Sequence, residues 1–297
     1  MSSPSIAVAY VVDRRMLTGF LVSLRALGNF ATRPIRVYVF LSTFSPGIVQ
    51  LIERSARSSA PIELRLLPIP DMPFTGMKKL QDNNNTYAKF LIPKLIEEKY
   101  VIYLDCDTIP LIDIAQVPAI KIADAALGAV PTQKVKFCLD QQVLIERGIA
   151  KESEYFNAGV LMINAEAWRT NGISEICIET AQELGQRAIS HDQTVLNLVF
   201  NDKFIPLDKK FNHIISQKSV VHPRHGNIGK ILHFIGSPKP WEYLAKTLAP
   251  AASHWMELAR ELGHSPRRQF FPHSFGEAKN LLRLVRRTAA NRKRFFA

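Results

Sequence analysis

Cysteine is scarce in this chain: three residues, Cys106, Cys138 and Cys177, among 297. They offer neither a disulfide framework nor paired metal-ligand spacing, and a reducing compartment is expected. Long apolar runs are also missing. No stretch approaches the roughly 18 residues that a membrane-spanning helix needs. No basic segment precedes the first apolar run, Ile6 to Val12, so a signal peptide is not expected either. Acidic residues stop at Glu277, and the last stretch holds Lys279, Arg283, Arg286, Arg287, Arg292, Lys293 and Arg294. The formal net charge is +12, so subtracting these seven leaves +5 for everything before. The basic balance therefore describes a tail more than a body. A hydrophobic share of 47% against 22% charged residues excludes a disordered chain. The length suits one large domain or two smaller ones.

What is present is an alternation. Ser5 to Val12 is a continuous apolar strand of the kind covered on both faces. Gly19 to Leu27 has helical spacing, Ile35 to Leu41 is a second strand, and Ser45-Pro46 opens a helix to about Ser55. Ile62 to Leu67 is a third strand, Thr86 to Ile96 a helix, and Tyr100 to Leu104 a buried strand. Residues 113 to 154 read as irregular with short helices. Val160 to Asn164 and Ile231 to Phe234 are further strands, Asp192 to Phe200 is a helix, and only helices follow Trp241. Strands alternating with helices imply an α/β fold with a mostly parallel sheet. Ligands of such sheets bind beyond the carboxyl ends of the strands.

Asp105 and Asp107 stand at such an end, directly after the run Tyr100 to Leu104. Two carboxylates there are costly unless something balances them. A capping or turn pair is one reading. A magnesium or manganese ion sharing its shell with substrate phosphates is the other.

Five segments occur in order: Tyr87-Ala88-Lys89, Val101 to Asp107, Tyr155 to Asn164, His191 to Asn197, and His233 to Trp241. Together they resemble glycosyltransferase family 8, retaining sugar transferases that include bacterial lipopolysaccharide galactosyl- and glucosyltransferases and glycogenin. The resemblance spans about residues 5 to 241. It implies a GT-A fold, a Rossmann-like mostly parallel sheet flanked by helices, as a catalytic domain over 1–241. A helical C-terminal extension over 242–297 would carry the basic tail. Asp105, Asp107 and His233 match the metal ligands, and an imidazole suits manganese better than magnesium. Asp105 would also touch the ribose, with Cys106 beside it at the nucleotide. Asp13 resembles the aspartate near the uracil, although Arg15 and Met16 replace the usual Asn and Tyr. Lys89 stands where many members have arginine and would contact donor phosphate or sugar. Asn157 and Ala158 would line the sugar, Asp192 grip its hydroxyls, and Gln193 lie beneath the anomeric carbon. Thr132 stands where several members have aspartate. Gly236 would admit the diphosphate and Lys239 contact it, while Trp241 is structural.

The implied activity is metal-dependent transfer of a hexose, glucose or galactose, from a UDP-sugar to a saccharide or glycolipid acceptor, as in lipopolysaccharide biosynthesis. Residues 279 to 290, wound as a helix, put Leu281, Leu282, Leu284, Val285 and Ala289 opposite Lys279, Arg283, Arg286 and Arg287. Such a face suits an anionic membrane surface, hence a cytoplasmic protein peripheral to the inner face. A nucleotidyltransferase would need a Gly-rich loop after the first strand, and Val12 to Met16 has none. A nucleic-acid-binding protein would need its charge on the body, so no nucleic-acid partner is expected.

Overall fold

A computed structural model of the chain describes residues 6–57, 62–71, 76–80, 83–117, 122, 125–216, 219, 226–242, 245–265 and 282. The chain forms two compact units, Met1–His213 with Ile228–His233, and Ile214–Asn227 with Phe234–Ala297. The strands are β1 (Ile6–Val12), β2 (Ile35–Leu41), β3 (Ile62–Pro68), β4 (Tyr100–Leu104), β5 (Thr108–Leu111), β6 (Leu127–Lys134), β7 (Glu154–Asn164), β8 (Ile205–Pro206), β9 (His213–Ile215) and β10 (Lys230–Phe234). The helices of the first unit are α1 (Leu17–Phe30), α2 (Pro46–Ala56), α3 (Ile92–Leu95), α4 (Gln141–Glu146), α5 (Ala165–Thr170), α6 (Ile173–Leu184) and α7 (Asp192–Val199).

The main sheet of the first unit has the order β3-β2-β1-β4-β7-β6-β8. β1 pairs parallel with both β2 and β4, and β7 runs antiparallel to β4 and β6. Residues of β1 alternate between two cores, Ala7 and Ala9 on one face and Val8, Tyr10 and Val12 on the other. That double burial is why β1 reads as an unbroken apolar run. α2 begins as its sequence directs: the Ser45 hydroxyl accepts from Ile48 N at 3.3 Å, and Pro46 stands at the first position.

Two expectations are corrected. Residues 113–154 are not irregular throughout, because β6 is an eight-residue strand of the main sheet. Its register shifts around Pro131 and its second half is largely exposed, so its apolar signal covers only four residues. The helix expected over Thr86 to Ile96 is instead a 3-10 segment, Asn85–Phe90, followed by the short α3. Pro93 cannot donate to the Lys89 carbonyl, so no continuous α-helix forms.

The second unit carries α8 (Ala245–Leu248) and α9 (Ala251–Glu261), and Trp241 packs on Trp255 with ring centroids 5.1 Å apart. The amphipathic helix expected over 279–290 lies outside the described residues, Leu282 apart. Among the described residues no helix is long and apolar enough to cross a membrane.

Candidate active site and metal centre

The strand order reverses between β1 and β4, the place where doubly wound sheets bind ligands. Asp105 and Asp107 follow β4 there. The Asp105 N–H donates to the Gly159 carbonyl of β7 at 2.7 Å, which fixes the turn. β10 pairs antiparallel with β5, with His233 opposite Thr108, and this register sets the imidazole beside Asp107. His233 Nε2 lies 3.2 Å from Asp107 Oδ1 and 3.9 Å from Asp105 Oδ2. One ligand atom from each of the three residues lies within 4.8 Å of the others.

The Lys89 ammonium is buried behind this cluster. It lies 2.6 Å from Asp192 Oδ2 and 3.4 Å from Asp105 Oδ1, and donates to the Ala158 carbonyl at 3.1 Å. It also sits 4.5 Å from the centroid of the Tyr103 ring. Burial works against its charge, and Asp105 and Asp192 overcome that, holding its pKa above the ordinary lysine value. The Tyr103 hydroxyl donates to Asp105 Oδ1 at 2.7 Å, and burial followed by the Asp105 charge pushes that phenol's pKa well up. Asp192 begins α7, with Thr86 donating to its Oδ1. Gln193 Oε1 accepts from Asn157 Nδ2 at 2.9 Å and from Ala158 N at 3.1 Å.

These residues fit a divalent cation. Three carboxylates, Asp105, Asp107 and Asp192, against the single Lys89 leave a formal charge of −2. The donor set is two hard oxygens and one nitrogen, which suits manganese or magnesium. Gly159 keeps the space clear: a Cβ there would collide with the His233 ring and come within 2.9 Å of Asp105 Oδ2.

The structure thus brings together Lys89, Asp105, Asp107, Asn157, Ala158, Asp192, Gln193 and His233 of the sequence-derived set. Asp13 follows β1 in a cleft shared with Leu17, Leu41, Ser42 and Ile48. Its Oδ1 accepts from the N–H groups of Arg15 (2.9 Å) and Met16 (3.0 Å), so part of its capacity is spent on the turn that precedes α1. The Cys106 thiol is turned into the core and donates to the Val11 carbonyl at 3.1 Å. Thr132 donates to the Tyr155 carbonyl at 3.2 Å. Gly236 and Lys239 belong to the second unit: Gly236 has φ +89°, and the Lys239 ammonium donates to the Phe234 carbonyl at 3.3 Å. Sequence reasoning missed Tyr103, Thr86, Tyr155, Asp140 and Asn212. The two tyrosines stood inside the quoted segments as apolar strand residues, with nothing to mark their hydroxyls as polar contacts.

A mostly parallel sheet with paired aspartates past β4 defines the GT-A class, and solved structures agree. Galactosyltransferase LgtC, in complex with donor and acceptor sugar analogues, matches with a TM-score of 0.65 and 21% identity, over 88% of this chain and 98% of that one. The chain belongs to glycosyl transferase family 8, whose model matches residues 7–245. A lipopolysaccharide 1,3-galactosyltransferase of Salmonella typhimurium is 30% identical over 252 residues, 79% of this chain and 72% of the relative. A probable glycosyl transferase Gly of Streptococcus gordonii is 24% identical over 73% of this chain, and the match spans only 30% of that longer relative.

Proposed function

We propose that this protein is a retaining glycosyltransferase that moves a hexose, glucose or galactose, from a UDP-sugar to a saccharide or glycolipid acceptor, with manganese or magnesium bound. The observation that carries this reading is the convergence of Asp105, Asp107 and His233 beyond β4, with Lys89 and Asp192 beside them. The kinship with a protein named lipopolysaccharide 1,3-galactosyltransferase supports a glycolipid acceptor.

Asp105, Asp107 and His233 would hold the cation, which supplies Lewis-acid stabilisation of the charge growing on the leaving diphosphate. Lys89 balances Asp105 and Asp192 and so keeps both carboxylates in place. Asp192 then orients the sugar hydroxyls, and Asn157 and Ala158 line the sugar with Gln193 beneath it. Gly236 and Lys239 enter this reading through the family resemblance, as diphosphate contacts.

Retention follows front-face attack. The acceptor hydroxyl bonds to the anomeric carbon on the side from which the diphosphate departs, and a leaving phosphate oxygen takes the hydroxyl proton. Two features favour this over a covalent enzyme adduct. Gln193 is a neutral amide whose oxygen already accepts two hydrogen bonds. Each Asp192 oxygen has one partner, Thr86 or Lys89, which leaves lone pairs for sugar hydroxyls while the Lys89 charge weakens the carboxylate as a nucleophile.

A donor screen tests the reading. UDP-glucose or UDP-galactose should be hydrolysed slowly with manganese and not after chelation; hydrolysis indifferent to metal, or of no UDP-sugar, would refute it. Mass spectrometry of the same incubations should find no glycosyl adduct, and one on Asp192 would overturn front-face attack.

The same reading gives the basic tail an anionic membrane as partner, on charge alone. Full-length protein should co-sediment with anionic vesicles, and a truncation after Glu277 should bind them at least about tenfold less, at roughly 1 kcal/mol per basic residue lost. Equal binding would remove the tail's role.

A further inference from the structure

A line of hydrogen bonds connects the cation cluster to Gln193 and ends on Asp140. His233 Nδ1 lies 2.9 Å from Asn212 Oδ1. Asn212 Nδ2 donates to Asn157 Oδ1 at 2.9 Å, and Asn157 Nδ2 donates to Gln193 Oε1 at 2.9 Å. Gln193 Nε2 donates to the Tyr155 hydroxyl at 2.9 Å, which donates to Asp140 Oδ2 at 2.5 Å. Thr194 Oγ1 and the Ser190 N–H hold Asp140 Oδ1 at 2.7 and 3.0 Å. Asp140, Asn212 and His233 are all buried.

The line has a direction. A carboxylate can only accept, so Tyr155 spends its proton on Asp140 and its oxygen accepts from Gln193. That turns the Gln193 oxygen toward Asn157, and the Ala158 N–H bonded to the same oxygen enforces it. The Asn157 oxygen then faces Asn212, again enforced by a backbone donor, the Gly159 N–H at 3.0 Å. Asn212 is left with its oxygen toward His233. An acceptor at Nδ1 keeps the proton there and leaves the Nε2 lone pair aimed at Asp105 and Asp107.

We propose that Asn212 is a positioning residue that holds His233 in the Nδ1–H tautomer for a divalent cation, its own direction set by the Asp140–Tyr155–Gln193–Asn157 line. The inference rests on the proposed function in taking the cluster as a cation site. It adds that the cation ligand and the residue placed under the sugar are oriented by one continuous set of hydrogen bonds.

Manganese titration followed by electron paramagnetic resonance, without donor, tests this apart from catalysis. Asn212→Ala and the volume-preserving Asn212→Leu should weaken manganese binding by about 10- to 100-fold. Asn212→Asp keeps an acceptor for Nδ1 and should bind manganese at least about 10-fold more tightly than the alanine variant, while losing the donor to Asn157. An unchanged affinity in a folded alanine or leucine variant overturns the proposal, as does an aspartate variant as weak as alanine. Histidine-15N spectra of the wild type loaded with zinc, a diamagnetic stand-in for manganese, should show His233 protonated at Nδ1 with Nε2 unprotonated; a proton on Nε2, or none on Nδ1, overturns the proposal whichever variants fold. Failure of the wild type to bind manganese at all would bring down the cation site itself, and this inference with it.

Discussion

Asp107→Ala is expected to lower donor turnover by about 1000-fold or more, the scale of several kcal/mol of lost charge stabilisation by a metal. Its melting temperature without metal should stay close to that of the wild type. The reason is electrostatic. Asp107 shares the cluster with the Asp105 carboxylate, while Lys89 pairs with Asp105 and Asp192, so removing Asp107 relieves repulsion as it deletes a ligand. What should vanish is the manganese-induced rise in melting temperature, because that rise is ligand linkage. Calorimetry with and without manganese, beside a UDP-sugar hydrolysis assay, checks both parts. A variant that keeps manganese-dependent turnover at the wild-type manganese concentration would remove the cation site from the reading.

Lys89→Met should damage the fold as well as the reaction. Both side chains of the Lys89–Asp192 pair are under a tenth exposed, so losing the ammonium strands a buried carboxylate. Removing one partner of a buried pair costs about 3–5 kcal/mol, on the order of 10 °C in melting temperature for a unit of this size. Turnover should fall at least about 100-fold, because Asp192 and Asp105 lose the cation that spaces them. Lys89→Arg keeps the charge yet must fit a planar group between two carboxylates and the Tyr103 ring, so an intermediate loss is expected. A methionine variant with wild-type melting temperature and kcat/KM would show that the ammonium acts elsewhere.

Much of this arrangement is legible in the residues themselves. β1, β2 and β4 announce themselves because the sheet is covered on both faces, and β2 falls on the expected residues, Ile35 to Leu41. β5 and β6 do not. β5 is four residues immediately past the aspartates, too short to carry a pattern, and β6 loses its pattern at Pro131. At the site, charged residues at strand ends are conspicuous, and the family resemblance orders them. Asp140, Asn212 and Tyr155 are silent in the sequence. Their meaning lies in hydrogen bonds between segments far apart in the chain, which no local spacing encodes. Lys89 shows the same limit from the other side: its position is recognisable, but that its ammonium faces Asp192 and Asp105 emerges only from the fold.

The pairing of β10 on β5 places His233 beside an aspartate 126 positions earlier in the chain (233 minus 107). A nascent chain exposes Asp105 and Asp107 well before β10 is made, and so long a loop can close only after that. Until then two carboxylates face the solvent without their imidazole. Asp105, Asp107 and His233 therefore come together only once β10 has been made, and a product that stops short of residue 230 holds the two aspartates without the histidine.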